Sequence, residues 1–93
     1  MENIWEKYAK VLVNYSTKVK KGDKVIIRAE AQSQPLVKAV YEEVLKQGAY
    51  PILRISLDEI NNSYFKYASD EQLDYVDDFV KFEYEHADAL IAI

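Results

Sequence analysis

The stretch KVIIRA, residues 24–29, places the tightest constraint on how this chain can fold. Val25, Ile26 and Ile27 are consecutive apolar residues, whereas a strand with one solvated face alternates apolar and polar side chains. An unbroken apolar strand is covered on both faces, which is typical of parallel sheets. The sequence from here to Leu57 therefore predicts a β-α-β unit with a right-handed crossover and two parallel strands.

One helix precedes this unit and another lies inside it. Apolar residues recur at steps of three and four over residues 2–19, and the predicted inner face comprises Ile4, Trp5, Tyr8, Val11, Leu12 and Tyr15. Ser33 or Gln34 is predicted to cap the second helix, and Pro35 suits its first turn. Gly48 is expected to end this helix in the left-handed conformation. The inner stripe of the second helix comprises Leu36, Val37, Val40, Tyr41, Val44 and Leu45.

The second half of the chain is less regular. PILRISL predicts the second strand, and the segment after it is open between a short helix capped by Asp58 and a loop. Ser69 and Gln72 have the spacing of a capping box, which predicts the start of a helix that reaches about His86. The predicted inner stripe of this helix comprises Leu73, Val76, Val80 and Tyr84.

The closing ADALIAI predicts a third strand. The order of elements is that of a three-layer α/β fold, with a small parallel sheet of about three strands, in a doubly wound domain that is incomplete. Residues 1–93 are expected to form this single domain. Because free termini are usually polar, we expect the parent protein to continue beyond Ile93. The isolated piece is then expected to oligomerise by strand exchange, since an unpaired strand edge can pair with another chain.

Charge and composition exclude several classes of function. Residues 1–56 carry ten Lys and Arg against six Asp and Glu, a balance of +4, whereas residues 57–93 carry two against ten, a balance of -8. The acidic half argues against a nucleic-acid partner, which needs a basic patch. No stretch is apolar enough for a signal segment or a membrane span, and the absence of cysteine excludes disulfides and zinc-thiolate sites. These features favour a cytoplasmic protein with no membrane partner.

Two common kinds of site do not fit the sequence. Dinucleotide and P-loop sites need glycines between a strand and the next helix, but the loop after the first strand is AEAQSQ. Gly22 and Gly48 lie instead in helix-to-strand turns. Glu83 and His86 have the Glu-x-x-His spacing of di-iron bundles, yet a metal needs further ligands from other helices. A histidine that interacts with the dipole at a helix C-terminus is the simpler interpretation.

Ligands of open parallel sheets bind beyond the carboxyl ends of the strands. The polar residues expected at that edge are Glu30, Gln32, Ser33, Asp58 and Glu59. The alternative interpretation is that Asp58 caps a helix and Glu30 is solvated. A group of aromatic residues that fits no inner stripe is a candidate for a subunit or domain interface and comprises Tyr64, Phe65 and Tyr67. The tyrosines expected in the core, with their hydroxyls at its rim, are Tyr8, Tyr15, Tyr41 and Tyr84.

The order of elements also resembles that of a known family. The chain is similar to the N-terminal region of the thermophilic aminopeptidases, metallopeptidases of the aminopeptidase T and AmpS type. The resemblance is carried by four stretches, YAKVLV, KKGDKVIIRAE, PLVKAVYEEVLKQGA and the closing ADALIAI. It spans nearly the whole chain, and its motifs are structural.

The resemblance implies a parent enzyme that is several times longer, has two domains and forms homodimers. Such enzymes remove single residues from peptide N-termini with a pair of divalent metals, zinc or cobalt among them. Their ligands are Glu, His and Asp of the later, catalytic domain, so the resemblance assigns no catalytic, cofactor or metal residue to this chain. The expected partners are that domain, a peptide substrate and a second copy, and the chain alone is expected to be inactive.

A different class of function stays open beside this one. The chain can also be a stand-alone small α/β binding or protein-interaction module, for which the aromatic group and the acidic last helix are suitable features. A receiver-type signalling domain is a weaker alternative, because it needs paired acids at the end of the first strand, where only Glu30 is found.

Overall fold

The computed structural model describes residues 2–93 as helices on both faces of a small sheet. In chain order the elements are α1 (Ile4–Lys10), a π-helix (Val11–Ser16), β1 (Lys24–Glu30), a 3-10 turn (Ala31–Ser33), α2 (Gln34–Lys46), β2 (Tyr50–Ser56), α3 (Asp58–Tyr67), α4 (Asp70–Asp74), α5 (Asp78–His86) and β3 (Ala89–Ala92). No helix within this described range combines the length and the apolar character that crossing a bilayer requires.

β1 is the middle strand of a three-stranded sheet with the order β2-β1-β3. Both neighbours run parallel to it, with Ile27 opposite Leu53 of β2 and Ile91 of β3. Val25, Ile26 and Ile27 are all buried, so β1 is covered on both faces. The parallel sheet predicted from this apolar run is confirmed. The chain moves from β1 to one side of the sheet and then to the other, as in doubly wound folds.

The two faces of the sheet carry different helices. Val25 and Ile27 belong to one buried cluster with residues of α1, the π-helix and α2, which include Ala9, Val13, Val40 and Val44. Side chains of successive strand residues point to opposite faces. Arg28 accordingly lies on the other face, where its guanidinium carbon is 5.3 Å from the ring centre of Tyr84 in α5. The three-layer α/β architecture is thus confirmed.

The predicted inner face of the first helix is wrong. The residues that α1 and the π-helix bury are Ala9 and Val13, and most of the predicted face is exposed: Ile4, Trp5, Tyr8, Val11 and Tyr15. The apolar surface of this segment is wider than one stripe. The buried side chains of this surface are small, which allows the helix to pack closely against α2. Its aromatic side chains stay exposed to solvent. The helix also changes from α to π at Val11 and ends at Ser16, not at residue 19.

α2 follows the prediction more closely. Pro35 lies in its first turn, and Gly48 follows its end with φ +76°, as expected. Ser33 occupies the N-cap position, although its side chain makes no capping hydrogen bond. The stripe shifts by about one position, because Tyr41 and Leu45 are exposed whereas the carboxylate of Glu43 is buried. This carboxylate accepts hydrogen bonds from the side-chain amides of Asn14 (3.1 Å) and Gln47 (3.0 Å).

The last third of the chain forms three short helices. The segment left open in the sequence is helical as α3, but its N-cap is Leu57, so the predicted capping role of Asp58 is wrong. The capping box of Ser69 and Gln72 is confirmed in both directions. The single helix predicted from there to His86 is interrupted at residues 75–77.

That interruption explains why the predicted inner stripe of the last helix is wrong. Leu73, Val76, Val80 and Tyr84 are all exposed. Residues before and after the break no longer share a helical face, since that requires an unbroken period of 3.6 residues. The prediction that Tyr8, Tyr15, Tyr41 and Tyr84 lie in the core is also wrong, because all four are exposed.

Candidate functional site

The carboxyl edge of the sheet is the first candidate site. Strand order reverses at β1, and ligands of doubly wound folds bind beside such a reversal, beyond the carboxyl ends of the strands. Glu30, the last residue of β1, is in register with Ser56, the last residue of β2. α3 begins two residues later at Asp58. The structure therefore brings the loops that carry the predicted polar residues to one edge.

The five predicted residues of this edge occupy different local positions. Glu30 is exposed, and its Oε2 accepts a hydrogen bond from Nε2 of Gln32 (2.7 Å). Ser33 precedes α2 and is half-buried. Asp58 and Glu59 lie in the first turn of α3, where a carboxylate interacts favourably with the helix dipole. This arrangement provides acceptor oxygens along an edge, where the side chains of Glu30, Asp58 and Glu59 are all exposed.

Glu83 and His86 interact with different partners in the structure. Glu83 forms an ion pair with Arg54, in which Nε of Arg54 is 3.1 Å from Oε2. His86 is the last residue of α5, where its Nδ1–H donates to the carbonyl oxygen of Phe82 (2.9 Å) and its ring stacks on the Phe82 ring. Across residues 2–93, no three His, Cys, Asp or Glu side chains converge in a way that could hold a metal ion. The described residues therefore do not fit the metal centre of a peptidase.

An apolar groove lies between α2 and the outer side of β2. It has a volume of about 850 Å³, and its apolar lining residues include Val37, Tyr41, Leu45, Leu53, Ile55 and Leu57. Glu30 and Lys38 also line it, so the groove reaches the carboxyl edge of the sheet. The groove could not be predicted from the sequence, because Tyr41 and Leu45 fit the helical period of a buried stripe, and that period does not show how far the helix covers the sheet.

The aromatic group predicted as an interface is on the surface of α3. Phe65 and Tyr67 are 73% and 75% exposed. Tyr64 is more enclosed, and its hydroxyl donates to the carbonyl oxygen of Gln72 (2.8 Å). Tyr64 and Tyr67 line a cavity of about 660 Å³ with Tyr75 of the following break. Exposed aromatic side chains of this density are suited to a contact with another protein surface.

Comparison with known proteins gives two similarities. The family described as thermophilic metalloprotease (M29) matches the chain over residues 1–93. Wild-type AmpT from Thermus thermophilus, a solved structure, superposes with a TM-score of 0.64 at 24% sequence identity, covering 76% of this chain and 18% of AmpT. At this identity the likeness concerns the fold, and the chain spans less than a fifth of the length of AmpT. No curated protein matches the sequence.

Proposed function

The chain belongs to the thermophilic metalloprotease (M29) family, and we propose that it is the N-terminal, non-catalytic domain of a metal-dependent aminopeptidase. The parent enzyme would hydrolyse N-terminal residues from peptides. The observation that supports this proposal is the family match over all 93 residues of a chain that corresponds to 18% of AmpT. We assign the chemistry to other parts of the enzyme because the described residues offer no metal-ligand set.

In this proposal the catalytic domain would hold a pair of divalent ions, of the zinc or cobalt type, which would supply Lewis-acid chemistry and a water-derived nucleophile. The residues of this chain have a different task. The carboxyl edge, with Glu30, Ser33, Asp58 and Glu59, faces the substrate cavity as part of its wall. The groove of α2 and β2 receives apolar side chains of the catalytic domain, because an extended exposed apolar surface is typical of a contact with another protein surface. The assembled enzyme is proposed to be a cytoplasmic homodimer.

Turnover of leucyl-p-nitroanilide with added cobalt or zinc tests whether catalysis depends on the rest of the parent enzyme and not on this chain. We expect the parent enzyme to release p-nitroaniline and the purified 93-residue chain to release none above the metal-only rate. Leu53→Asp, which places a charge in the groove, should lower turnover by the parent through faulty docking. Ile4→Asp, at an exposed position of α1 away from the groove, is the matched control and should leave turnover unchanged. Metal-dependent turnover by the chain alone would contradict the proposed role.

A stand-alone interaction module is the second candidate, favoured by the exposed aromatic residues Phe65 and Tyr67. The two candidates differ in what happens when the chain is supplied separately. If the chain is a domain of the peptidase, it should restore turnover when it is added to a parent enzyme that lacks residues 1–93. If Phe65 and Tyr67 contact another partner, the Phe65→Ser, Tyr67→Ser double variant should restore turnover equally well. An independent module should restore nothing.

A further inference from the structure

The chain contains only two arginines, and the fold places them side by side. Arg28 of β1 and Arg54 of β2 are register partners on neighbouring parallel strands. Adjacent strands are about 4.8 Å apart, and partners in register project from the same face of the sheet. Like charges at such positions repel each other, so a pair of this kind needs negative charge nearby.

The protein supplies one carboxylate for these two guanidinium groups. Arg54 is paired with Glu83, and its Nη1 also donates to the carbonyl oxygen of Leu53 (3.1 Å). Arg28 lies over the ring of Tyr84 and forms no ion pair with any residue of the described range. The ring holds the guanidinium in place by a cation–π contact, which leaves the N–H groups at its edge available to an acceptor.

Both arginines line one cavity of about 330 Å³ at the carboxyl end of β2. The remaining lining residues are Ile55, Ser56, Leu57, Ile60 and Asn61. The side-chain amide of Asn61 donates to Oγ of Ser56 (2.9 Å), which leaves the hydrogen of the serine hydroxyl for another acceptor. No Asp or Glu contributes to this lining, although the surrounding half of the chain is strongly acidic.

The N-terminal end of α3 lies beside the same cavity. Leu57 is the N-cap of this ten-residue helix, and its carbonyl oxygen accepts hydrogen bonds from the N–H groups of Ile60 (3.1 Å) and Asn61 (3.0 Å). Leu57 and Ile60 themselves line the cavity. The lining thus combines two guanidinium groups and a hydroxyl, next to the positive end of a helix dipole, and this combination stabilises a negative charge.

We propose that this cavity binds a carboxylate group of a peptide, with Arg28 as its bidentate partner. A planar guanidinium matches the two oxygens of a carboxylate, which a lysine ammonium does not. The neighbouring carboxylates of Asp58 and Glu59 favour a singly charged ligand over phosphate, because a doubly charged ion meets more repulsion. The volume suits one terminal group and not a whole peptide. The assignment to a peptide rests on the proposed function, whereas the anion site rests on the cavity itself.

NMR titration of the uniformly 15N-labelled chain tests this site without requiring catalysis. Glycylglycine should shift the side-chain signals of Arg28 and Asn61 and saturate, whereas glycylglycinamide, which lacks the carboxylate, should not. Arg28→Gln should raise the dissociation constant at least about tenfold, the loss expected for a hydrogen-bonded charge pair. Arg28→Lys should weaken binding similarly, because a lysine ammonium cannot form the two parallel hydrogen bonds that a guanidinium forms with a carboxylate. Lys46→Gln removes the same charge from an exposed position in the last turn of α2 and should have no effect.

Three results would overturn the site. The first is that glycylglycinamide shifts the same signals as much as glycylglycine does. The second is that Lys46→Gln weakens binding as much as Arg28→Gln does. The third is that inorganic phosphate binds more tightly than the dipeptide. If Arg28→Gln fails to fold, Asn61→Ala decides the matter, since it removes a cavity residue from an exposed helix and should also weaken binding. Failure of this titration leaves the peptidase proposal in place, because that proposal is tested by turnover and not by anion binding.

Discussion

The hydrogen bond from Asn14 to Glu43 should hold the π-helical segment against α2. Glu43 is only 5% exposed, and no cation forms a salt bridge with it within residues 2–93. Its Oε1 relies on two amide donors, Nδ2 of Asn14 at 3.1 Å and Nε2 of Gln47 at 3.0 Å. A buried carboxylate that loses a donor keeps its desolvation cost, so Asn14→Ala should destabilise the domain.

The size of this effect follows from the contacts. Hydrogen bonds to charged groups contribute about 1.5–3 kcal/mol. Gln47 still donates in the variant, and Asn14 is half-buried, so water can replace part of the lost bond. We therefore expect the free energy of unfolding to fall by about 1–2 kcal/mol. In a domain of this size each kcal/mol corresponds to a fall in Tm of roughly 4–8 °C.

Urea unfolding followed by tryptophan fluorescence measures this loss directly, because Trp5 is the only tryptophan and lies on α1. A double-mutant cycle with Glu43→Leu isolates the pair, and the coupling energy should be at least about 1 kcal/mol. Asn62→Ala, an exposed asparagine on α3, is the control and should change stability by less than about 0.5 kcal/mol. Additive effects of Asn14→Ala and Glu43→Leu would refute the reasoning.

Two further perturbations address the sheet and the acidic helices. Ile27→Ala removes a fully buried side chain from the middle strand and should lower the free energy of unfolding in urea by about 2–5 kcal/mol. Ile4→Ala, at an exposed position, should lower it by less than about 0.5 kcal/mol. Similar values for both variants would contradict the assigned core. Ser69→Ala removes the capping box of α4 and should lower the stability of that helix by about 0.5–2 kcal/mol. This loss should be seen as faster amide hydrogen exchange at Gln72 and Leu73. Ser63→Ala, at an exposed position, should leave that exchange unchanged. Unchanged exchange in Ser69→Ala would show that the cap is dispensable.

Three local patterns in the sequence predicted the structure correctly. The run of Val25, Ile26 and Ile27 is buried on both faces because a covered parallel strand needs no polar side. Gly48 takes positive φ after α2, and Ser69 with Gln72 closes a capping box, since both features depend on residues within one turn. Such signals predict where elements begin and end without knowledge of the tertiary structure.

Which apolar residues become buried was harder to predict. Helical periodicity shows that Tyr8, Tyr15 and Tyr84 share faces with other apolar residues, but a small sheet with few covering helices cannot bury every such face. The break before α5 depends on extended backbone at Tyr75 and Asp77, for which the sequence carries no glycine or proline signal.

The candidate sites depend on contacts between distant residues. The sequence placed Glu30, Asp58 and Glu59 at one edge because parallel strands end together. It did not reveal the arginine cavity, because Arg28 and Arg54 meet only through the register of β1 with β2. Two arginines at matching positions of successive parallel strands are the one signal that could have indicated the pair.

The metal content of the purified 93-residue chain tests the central claim most directly. After loading with zinc or cobalt and removal of free metal, elemental mass spectrometry should find far less than one ion per chain, because the described side chains form no ligand set. The parent enzyme treated in the same way should retain its ions. One or two tightly held ions in the chain alone would place the metal centre here and contradict its assignment as a non-catalytic domain.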